Sequence, residues 1–520
     1  MSPSAELRTG PSTGLRAGFN PELLSSLGVT ITRLVTDSRA VAPGDTFVAY
    51  PGGQADGRQF IAQAIASGAN AVIWETRGFG WDSAWQVPNL AVNDLRHHAG
   101  EIASHVYGNP SAKLWMVGIT GTNGKTSCSH WIAQALNGLG RKAALVGTLG
   151  NGFPGALQPT LNTTPDTIRL HGLLADYLAQ GAQAVAMEVS SHALEQGRVN
   201  GVNYDVALLT NLSRDHLDYH GDMRSYAAAK RRLFDWQQLK YAVLNLDDAF
   251  GAELAEQLRD SELEVIGYGL SDDALELAER LGIRMAYGGA LRMDAQGFSL
   301  QVHSSWGGGE LHSALVGRFN AANLLGVLAV LLVSGVALTD ALHELARLKA
   351  VAGRMQTLGG AGRPTVVVDY AHTPDALDKV LQALREVTAS SGGKLICVFG
   401  CGGERDRGKR PMMGTVAAKL ADACIVTSDN PRSENPHEII AAITTGMGAR
   451  YQIIEDRALA IAQAISTATA ADTVLLAGKG HEEYQEISGV KYPFSDMELA
   501  QRALESWPLR QAQDMRSDKI

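Results

Sequence analysis

Gly121-Thr122-Asn123-Gly124-Lys125-Thr126 follows a short apolar run, Leu114-Trp115-Met116-Val117, and precedes Ser127 to Leu139, where Trp131, Ile132, Ala135 and Leu136 share one helical face. Strand, glycine-rich loop and helix, in that order, form a phosphate-gripping unit. Glycines let backbone N–H groups approach phosphate oxygens, and the helix N-terminus adds partial positive charge. The stretch implies an enzyme that uses ATP, with Lys125 on the β- and γ-phosphates and Thr126 on a magnesium ion. Its spacing departs from the general nucleotide loop, which has glycine where Ile119 stands; the nearest upstream glycine is Gly118.

Outward from this loop the chain reads as alternating short apolar strands and helix-length segments. Val185-Ala186-Met187, Val206-Ala207-Leu208-Leu209 and Ala242-Val243-Leu244 are expected as strands of a parallel sheet covered on both faces. Leu291 to Val302 reads as a small β insertion, and Asn320 to Val333 as the helix that closes the region. Upstream, Thr46 to Tyr50 and Ala71 to Trp74 are expected strands. Phe60 to Ser67 and Asp94 to Tyr107 are expected helices, the second stopped by Gly108-Asn109-Pro110. Downstream, Val366 to Val368, Leu395 to Val398, Ile425-Val426 and Val474 to Leu476 are strands, each followed by a polar turn of the kind that lines the crevice of an open α/β sheet. The expected fold is therefore α/β with three domains, 1–110, 111–350 and 351–520. The central one is a phosphate-loop domain with a mostly parallel sheet and the last is Rossmann-like.

At 520 residues the chain exceeds one core. A net charge of −9 advertises no nucleic acid or anionic membrane as partner. The longest apolar run, Leu324 to Leu338, is interrupted by Gly326, Ser334 and Gly335. It falls short of the ~20 residues of a membrane span and reads as a core helix. Cys128, Cys397, Cys401 and Cys424 show no CxxC pair and no zinc spacing, and read as thiols in a reducing compartment. The first residues, Met1 to Asn20, lack an apolar signal segment and read as a mobile lead-in. The tail after Pro508 is polar and expected to fray. A cytoplasmic, monomeric protein is the expectation.

Four further strand-end clusters carry chemistry. Glu188-Val189-Ser190-Ser191-His192 and Asp215-His216-Leu217-Asp218 offer carboxylate and imidazole near the phosphate loop, a donor set suited to magnesium. The residue types equally suit caps and surface groups. Asp429-Asn430-Pro431-Arg432 has turn chemistry, yet its arginine presents a fork that matches a carboxylate. Gly402 to Arg410 is a second charged strand-end loop.

Taken in order, Gly121–Thr126, Glu188–His192, Asn211-Leu212-Ser213-Arg214-Asp215-His216 and Asp369-Tyr370-Ala371-His372-Thr373-Pro374 resemble the Mur ligases, and the resemblance runs from about Thr36 to Asp496. It implies an N-terminal domain that holds a uridine nucleotide through Ser38 in Asp37-Ser38-Arg39, and through Gln54 and Ala55 in Gly53–Gly57. Relatives often carry His where Gly53 stands. Asn162, Thr163 and Thr164, with Ser190, Gln196 and Arg198, fall on further positions for the UDP-linked substrate. Gly121 to Ser127, Asn320, Asn323 and Arg354 fall on ATP positions. Thr126, Glu188 and His216 fall on magnesium positions. Lys230, on its own residues a helix-surface cation, matches a lysine that the family carboxylates to a carbamate, an oxygen ligand that can help hold a second magnesium. The implied catalytic set is Lys125, Lys230 and His216. Arg405, Asp429, Asn430, Pro431, Arg432, Gly478 and Glu482 fall on the amino-acid site, and the segment Asp429–Arg432 marks members that add meso-diaminopimelate.

The resemblance implies ATP-dependent amide formation with ATP and Mg2+. The D-glutamyl γ-carboxylate of UDP-N-acetylmuramoyl-L-alanyl-D-glutamate attacks the γ-phosphate, and the amine of diaminopimelate displaces phosphate from the acyl phosphate. Water must be excluded, so closure of the third domain over the second is expected. The rival readings are a lysine-adding Mur ligase, a folylpolyglutamate-type ligase and, in a different class, a nucleotide-driven switch without ligase chemistry.

Overall fold

The computed structural model describes residues 19–52, 55–160, 162–294, 297–360, 362–448 and 451–517. Most of the expected lead-in, together with Gly53 and Gln54, lies outside the described residues. By packing, the chain divides into two compact units. The first takes the described residues up to Lys113 with Asp166–Asp176 and Gly197–Val202; the second takes Leu114–Pro165, Tyr177–Gln196 and the described chain from Asn203 onward.

The first unit is built on a four-stranded parallel sheet, Leu34–Val35, Thr46–Ala49, Ala71–Glu75 and Asn89–Val92, in that order. The strand Ala71–Glu75 is buried throughout, as a parallel strand covered on both faces should be. The helix Leu95–Val106 packs Leu95, Ala99, Ile102 and Ala103 into the same core as Val48 and Ile73.

The second unit carries two large sheets. The eleven-stranded sheet is parallel through its middle, in the order Arg284–Asp294, Glu264–Gly269, Tyr241–Asn245, Val206–Leu209, Trp115–Thr120, Ala184–Glu188, Ala143–Gly147. Antiparallel strands extend both edges. Gly297–Ser304 and Gly307–Ser313 add to one side, Gly150–Phe153 and Ala156–Gln158 to the other. The expected β insertion is thus part of a longer three-stranded meander that begins at Arg284. Trp115–Thr120 sits centrally, with the chain leaving to opposite sides of it. Its carboxyl end is therefore a topological switch point, where a crevice opens. The helix Arg318–Val333 is buried at every residue from Asn323 to Val333, because sheet, phosphate-loop helix and a following helix enclose it. No helix among the described residues is long and apolar enough to cross a membrane.

The six-stranded sheet runs Gln356–Gly359, Thr365–Asp369, Thr473–Ala477, Leu395–Phe399, Ala423–Val426, Gln452–Ile453, parallel except for the first pair. A hairpin, Tyr484–Ile487 with Val490–Pro493, follows it. The final helix, Asp496–Ser517, continues past Pro508, where fraying was expected. Inside this domain Arg457 and Asp496 form a fully buried bidentate pair, with N···O distances of 2.8 and 2.6 Å. All four cysteines are buried and free, and burial pushes the Cys401 and Cys424 thiols up to about 12.

Candidate active site

The phosphate loop leaves the central strand through two glycines that no other residue replaces without strain. Gly121 has φ 144°, and a Cβ there would lie 1.9 Å from Thr210 Oγ1; Gly124 has φ 89°, and its Cβ would lie 2.8 Å from Asn323 Oδ1. Neighbouring strand ends hold the loop. Thr122 N donates to Asn211 O and Asn123 N to Asn211 Oδ1, while Thr210 Oγ1 donates to Asn123 O at 2.6 Å. Lys125 and Thr126 are the first helical residues, and the Lys125 ammonium folds back onto the carbonyls of Gly121 and Thr122, each at 2.9 Å. Burial lowers its pKa, opposed by the charges of Glu188 and Asp215.

Beside the loop, Glu188 ends the next strand of the sheet and is almost wholly buried. Its carboxylate accepts from Thr126 Oγ1 (3.0 Å), Thr148 N (2.8 Å) and Thr148 Oγ1 (3.1 Å). Thr148 in turn meets Thr163 Oγ1 at 3.0 Å, and Thr164 Oγ1 donates to Glu188 O and lies 3.3 Å from Ser190 Oγ. Thus Thr126, Thr163, Thr164, Glu188 and Ser190 stand together beside the loop. Asn162 is exposed, and Gln196 Nε2 donates to Tyr219 Oη at 3.1 Å. Thr148 was not anticipated; the signal for it is the Gly147-Thr148-Leu149-Gly150 turn at a strand end.

On the other side of Lys125 stand Asp215, His216, Tyr226 and Lys230. Burial alone would raise the Asp215 carboxyl, but His372, His216 and Lys409 hold it below its ordinary value. Burial lowers the His216 pKa despite Asp215, 3.3 Å away. His216 itself has φ 54°, at the start of a single helical turn. Lys230, expected from sequence only as a helix-surface cation, is 1% exposed. Its ammonium donates to Gly121 O at 2.8 Å and lies 4.4 Å from the Tyr226 ring centre. Burial, followed by the charge of Lys125, lowers its pKa well below the usual lysine range. Among the described residues no three His, Cys, Asp or Glu side chains cluster as a metal cage.

The third sheet reaches the loop from the carboxyl ends of its strands. Arg354 Nη2 donates to Thr126 Oγ1 at 3.1 Å, and the guanidinium lies 4.6 Å from the Tyr370 ring centre. Asp369, buried beside it, is pushed up to about 6 by desolvation even though Arg354 acts to lower it. Burial takes His372 down to about 4. Asn123 Nδ2 and Ser213 Oγ both donate to Asp375, a residue that the sequence did not single out. Asn323 packs against Gly124, one turn beyond Asn320, whose amide donates to Val316 O at 2.8 Å.

The segment Asp429 to Arg432 lies at the same strand ends. Asn430 is the hub: Nδ2 donates to Glu482 Oε2 (2.8 Å), while Oδ1 accepts from the fully buried Lys479 (3.0 Å) and from Glu486 N (2.9 Å). Lys479 also pairs with Glu482 at 3.0 Å. Asp429 crowds Gly478, whose φ is 115° and whose added Cβ would lie 2.5 Å from Asp429 Oδ2. Pro431 is buried. Arg432 has φ 52° and is bracketed by backbone hydrogen bonds to the hairpin, from its N–H to Glu486 O and from Ser488 N to its carbonyl. Its side chain donates to Gly403 O at 2.7 Å and lies 3.3 Å from Glu486 Oε2. Arg405 is exposed, its closest polar contact being Glu404 O at 3.4 Å. The structure therefore assembles Asp429 to Arg432, Gly478 and Glu482, and leaves Arg405 at the rim. The hairpin was not foreseen, nor was Glu486.

In the first unit, Ser38 is buried and donates to Gln63 Oε1 at 2.9 Å, while Ala55 is exposed and its carbonyl accepts from Gly52 N. Arg198 belongs to this unit and acts electrostatically on Tyr50, whose hydroxyl is raised by burial. Ser127, behind the phosphate loop, is buried in its helix.

The small parallel sheet, the phosphate-loop sheet and the six-stranded sheet each fall largely within a stretch that matches a known family model. Residues 30–107 match the model described as Mur ligase family, catalytic domain; 119–331 match the Mur ligase middle domain; 353–480 match the Mur ligase, glutamate ligase domain. The chain belongs to the Mur ligase family. More narrowly, it is 53% identical over 494 residues to the UDP-N-acetylmuramoyl-L-alanyl-D-glutamate–2,6-diaminopimelate ligase of Chromobacterium violaceum, covering 95% of this chain and 98% of that one. The ligase of the same name from Nitrosomonas europaea is 51% identical over 492 residues, 93% of this chain and 94% of its own. A solved structure under that name is similar with a TM-score of 0.65 at 38% identity, covering 92% of this chain and 95% of that one.

Proposed function

We propose that the chain joins meso-2,6-diaminopimelate to UDP-N-acetylmuramoyl-L-alanyl-D-glutamate at the expense of ATP, in peptidoglycan precursor synthesis. The observation that carries this reading is the 3.1 Å hydrogen bond from Arg354 to Thr126, which joins the phosphate-loop helix to the part of the chain that carries Asp429–Arg432. The two relatives sharing about half of the chain's residues support the choice of substrates.

In this reading ATP lies on Gly121 to Ser127, its adenine toward Asn320 and Asn323, with Arg354 closing over it. Lys125 neutralises the charge that builds as a carboxylate meets the γ-phosphate. The D-glutamyl carboxylate attacks that phosphorus and ADP leaves; the diaminopimelate amine then attacks the acyl carbon and phosphate leaves. Magnesium fits the donor set, since it is held by one or two carboxylates together with substrate phosphates. The Thr126 hydroxyl and the buried Glu188 carboxylate stand 3.0 Å apart beside the loop. Thr126, Glu188, His216 and a carbamate on Lys230 would hold it, and it would offset phosphate charge. The neutral amine is the form that adds carbon dioxide, and the burial that lowers the Lys230 pKa favours that form. Ser38, Gln54, Ala55, Asn162, Thr163, Thr164, Ser190, Gln196 and Arg198 would hold the UDP-linked substrate.

At the amine end, Arg432 answers the distal carboxylate that distinguishes diaminopimelate from lysine, with Arg405 at the rim and Glu482 for the ammonium. Functional domain boundaries near 110 and 350, action as a monomer and a cytoplasmic location complete the proposal. The test is ADP release with both acceptor and amine present against each omitted. A ligase releases ADP in step with amide formed. ADP release that ignores the amine supports a nucleotide switch instead.

A further inference from the structure

Asp375 occupies the first turn of the helix Pro374–Ser391, yet that turn is already capped: Thr373 Oγ1 accepts from Ala376 N at 3.2 Å. Its carboxylate faces another domain. One oxygen, Oδ2, accepts from Asn123 Nδ2 (3.1 Å), Ser213 Oγ (3.0 Å) and Lys379 Nζ (3.0 Å). The donors come from three elements: the phosphate loop, the segment after the strand Val206–Leu209, and the helix itself. The backbone of Asn123 is already engaged, its N–H by Asn211 and its carbonyl by Thr210 and Asn211, which leaves its side-chain amide to Asp375. Ser213 N in turn donates to Thr122 Oγ1 at 2.9 Å, so both residues that Asp375 holds are fastened to the loop. Further along the same helix, Ala383 meets the start of the helix that carries Asn320 and Asn323: a Cβ on Gly317 would lie 3.0 Å from Ala383 Cβ. One helix therefore touches both flanks of the proposed ATP site.

We propose that Asp375 is a positioning residue for the ligation, resting on the ligase reading above. Its carboxylate ties the phosphate loop, through Asn123 and Ser213, to the domain that delivers the amine, and so keeps water from the activated carboxylate. Water that reaches the acyl phosphate in place of the amine returns the starting carboxylate and releases phosphate, consuming ATP without an amide. The expected signature of a weakened tie is loss of coupling, not only loss of rate. A charge-assisted hydrogen bond of this kind is worth roughly a tenfold change.

The experiment measures ADP released per amide formed, kcat, and KM for ATP and diaminopimelate in the full-length wild type, Asp375→Ala, Asp375→Asn and Ser213→Ala. In the wild type the ratio is near one. In Asp375→Ala it rises well above one and kcat falls about tenfold, while KM for diaminopimelate changes by less than about twofold, because Asp375 makes no contact with the Asp429–Arg432 segment. Asp375→Asn, which keeps an acceptor oxygen, lies between. Ser213→Ala moves the ratio the same way by less, and this keeps the proposal testable if Asp375→Ala fails to fold. Variants that remain coupled as tightly as the wild type overturn the role of Asp375. A wild type that makes no amide defeats the ligase reading instead.

Discussion

The phosphate loop and the Asp429–Arg432 segment both sit at strand ends, but they are held by different physics. The loop is backbone chemistry: two glycines at positive φ, N–H groups capped by neighbouring strand ends, and a lysine folded onto loop carbonyls. The other segment is side-chain chemistry: a buried lysine, an asparagine hub and an arginine locked to a hairpin fifty residues onward. The loop can serve any chemistry that handles phosphate. The arginine segment is proposed to select the amine, and for that it would depend on charges that must be satisfied together.

The largest effect separating the two should come from Lys479→Met. Removing one partner from a buried pair leaves Asn430 and Glu482 uncompensated, at a cost of about 3–5 kcal/mol. Denaturant unfolding should show that loss, with the acceptor segment disordered. Lys125→Met should leave folding intact and lower kcat by roughly 10²–10³-fold, the scale for losing one group that stabilises developing charge. Steady-state ADP release checks it, and a change confined to KM would count against the role. Arg432→Ala should raise KM for diaminopimelate by roughly 10–100-fold, the worth of a charged hydrogen bond, with KM for ATP unchanged. Equal effects on both substrates would erase the contrast between the regions.

The smallest effect lies in the first unit. Burial takes His171 down to about 4, although its bond to Asn200 O acts to raise it. Its folded pKa is below the unfolded value of about 6.5, so the unfolded chain binds the extra proton. The stability it contributes is complete above pH 6.5 and is lost as pH falls toward 4. Replacing it with glutamine should flatten the acid limb of the stability profile by about one proton, as read from denaturation midpoints across pH 4–7.

These contrasts also explain what was legible in the sequence. Gly121–Thr126 announces itself because a phosphate grip needs glycine and lysine at fixed, short spacing, and the flanking strand and helix appear as Trp115–Thr120 and Lys125–Gly138. The apolar run near Leu324 reads correctly as a core helix for the same local reason. Lys230 reads as a surface cation because its burial against Gly121 O and Tyr226 arises from packing, not from the pattern of its own helix. Thr148, Asp375 and Glu486 escape notice because each acts through a partner tens to hundreds of residues away. The strands Gly150–Phe153 and Ala156–Gln158 are edge additions rich in glycine and polar residues, with little periodicity to detect. Family resemblance, not local pattern, supplied the amino-acid positions.

The most direct measurement is amide formation by the wild-type chain with UDP-N-acetylmuramoyl-L-alanyl-D-glutamate and ATP, offered meso-diaminopimelate, its other stereoisomers and L-lysine in separate reactions. A site in which Arg432 receives the distal carboxylate should favour meso-diaminopimelate over lysine by roughly 10⁴-fold in kcat/KM, because lysine brings no carboxylate to that arginine. Lysine used as well as diaminopimelate, or no amide with either, would contradict the account.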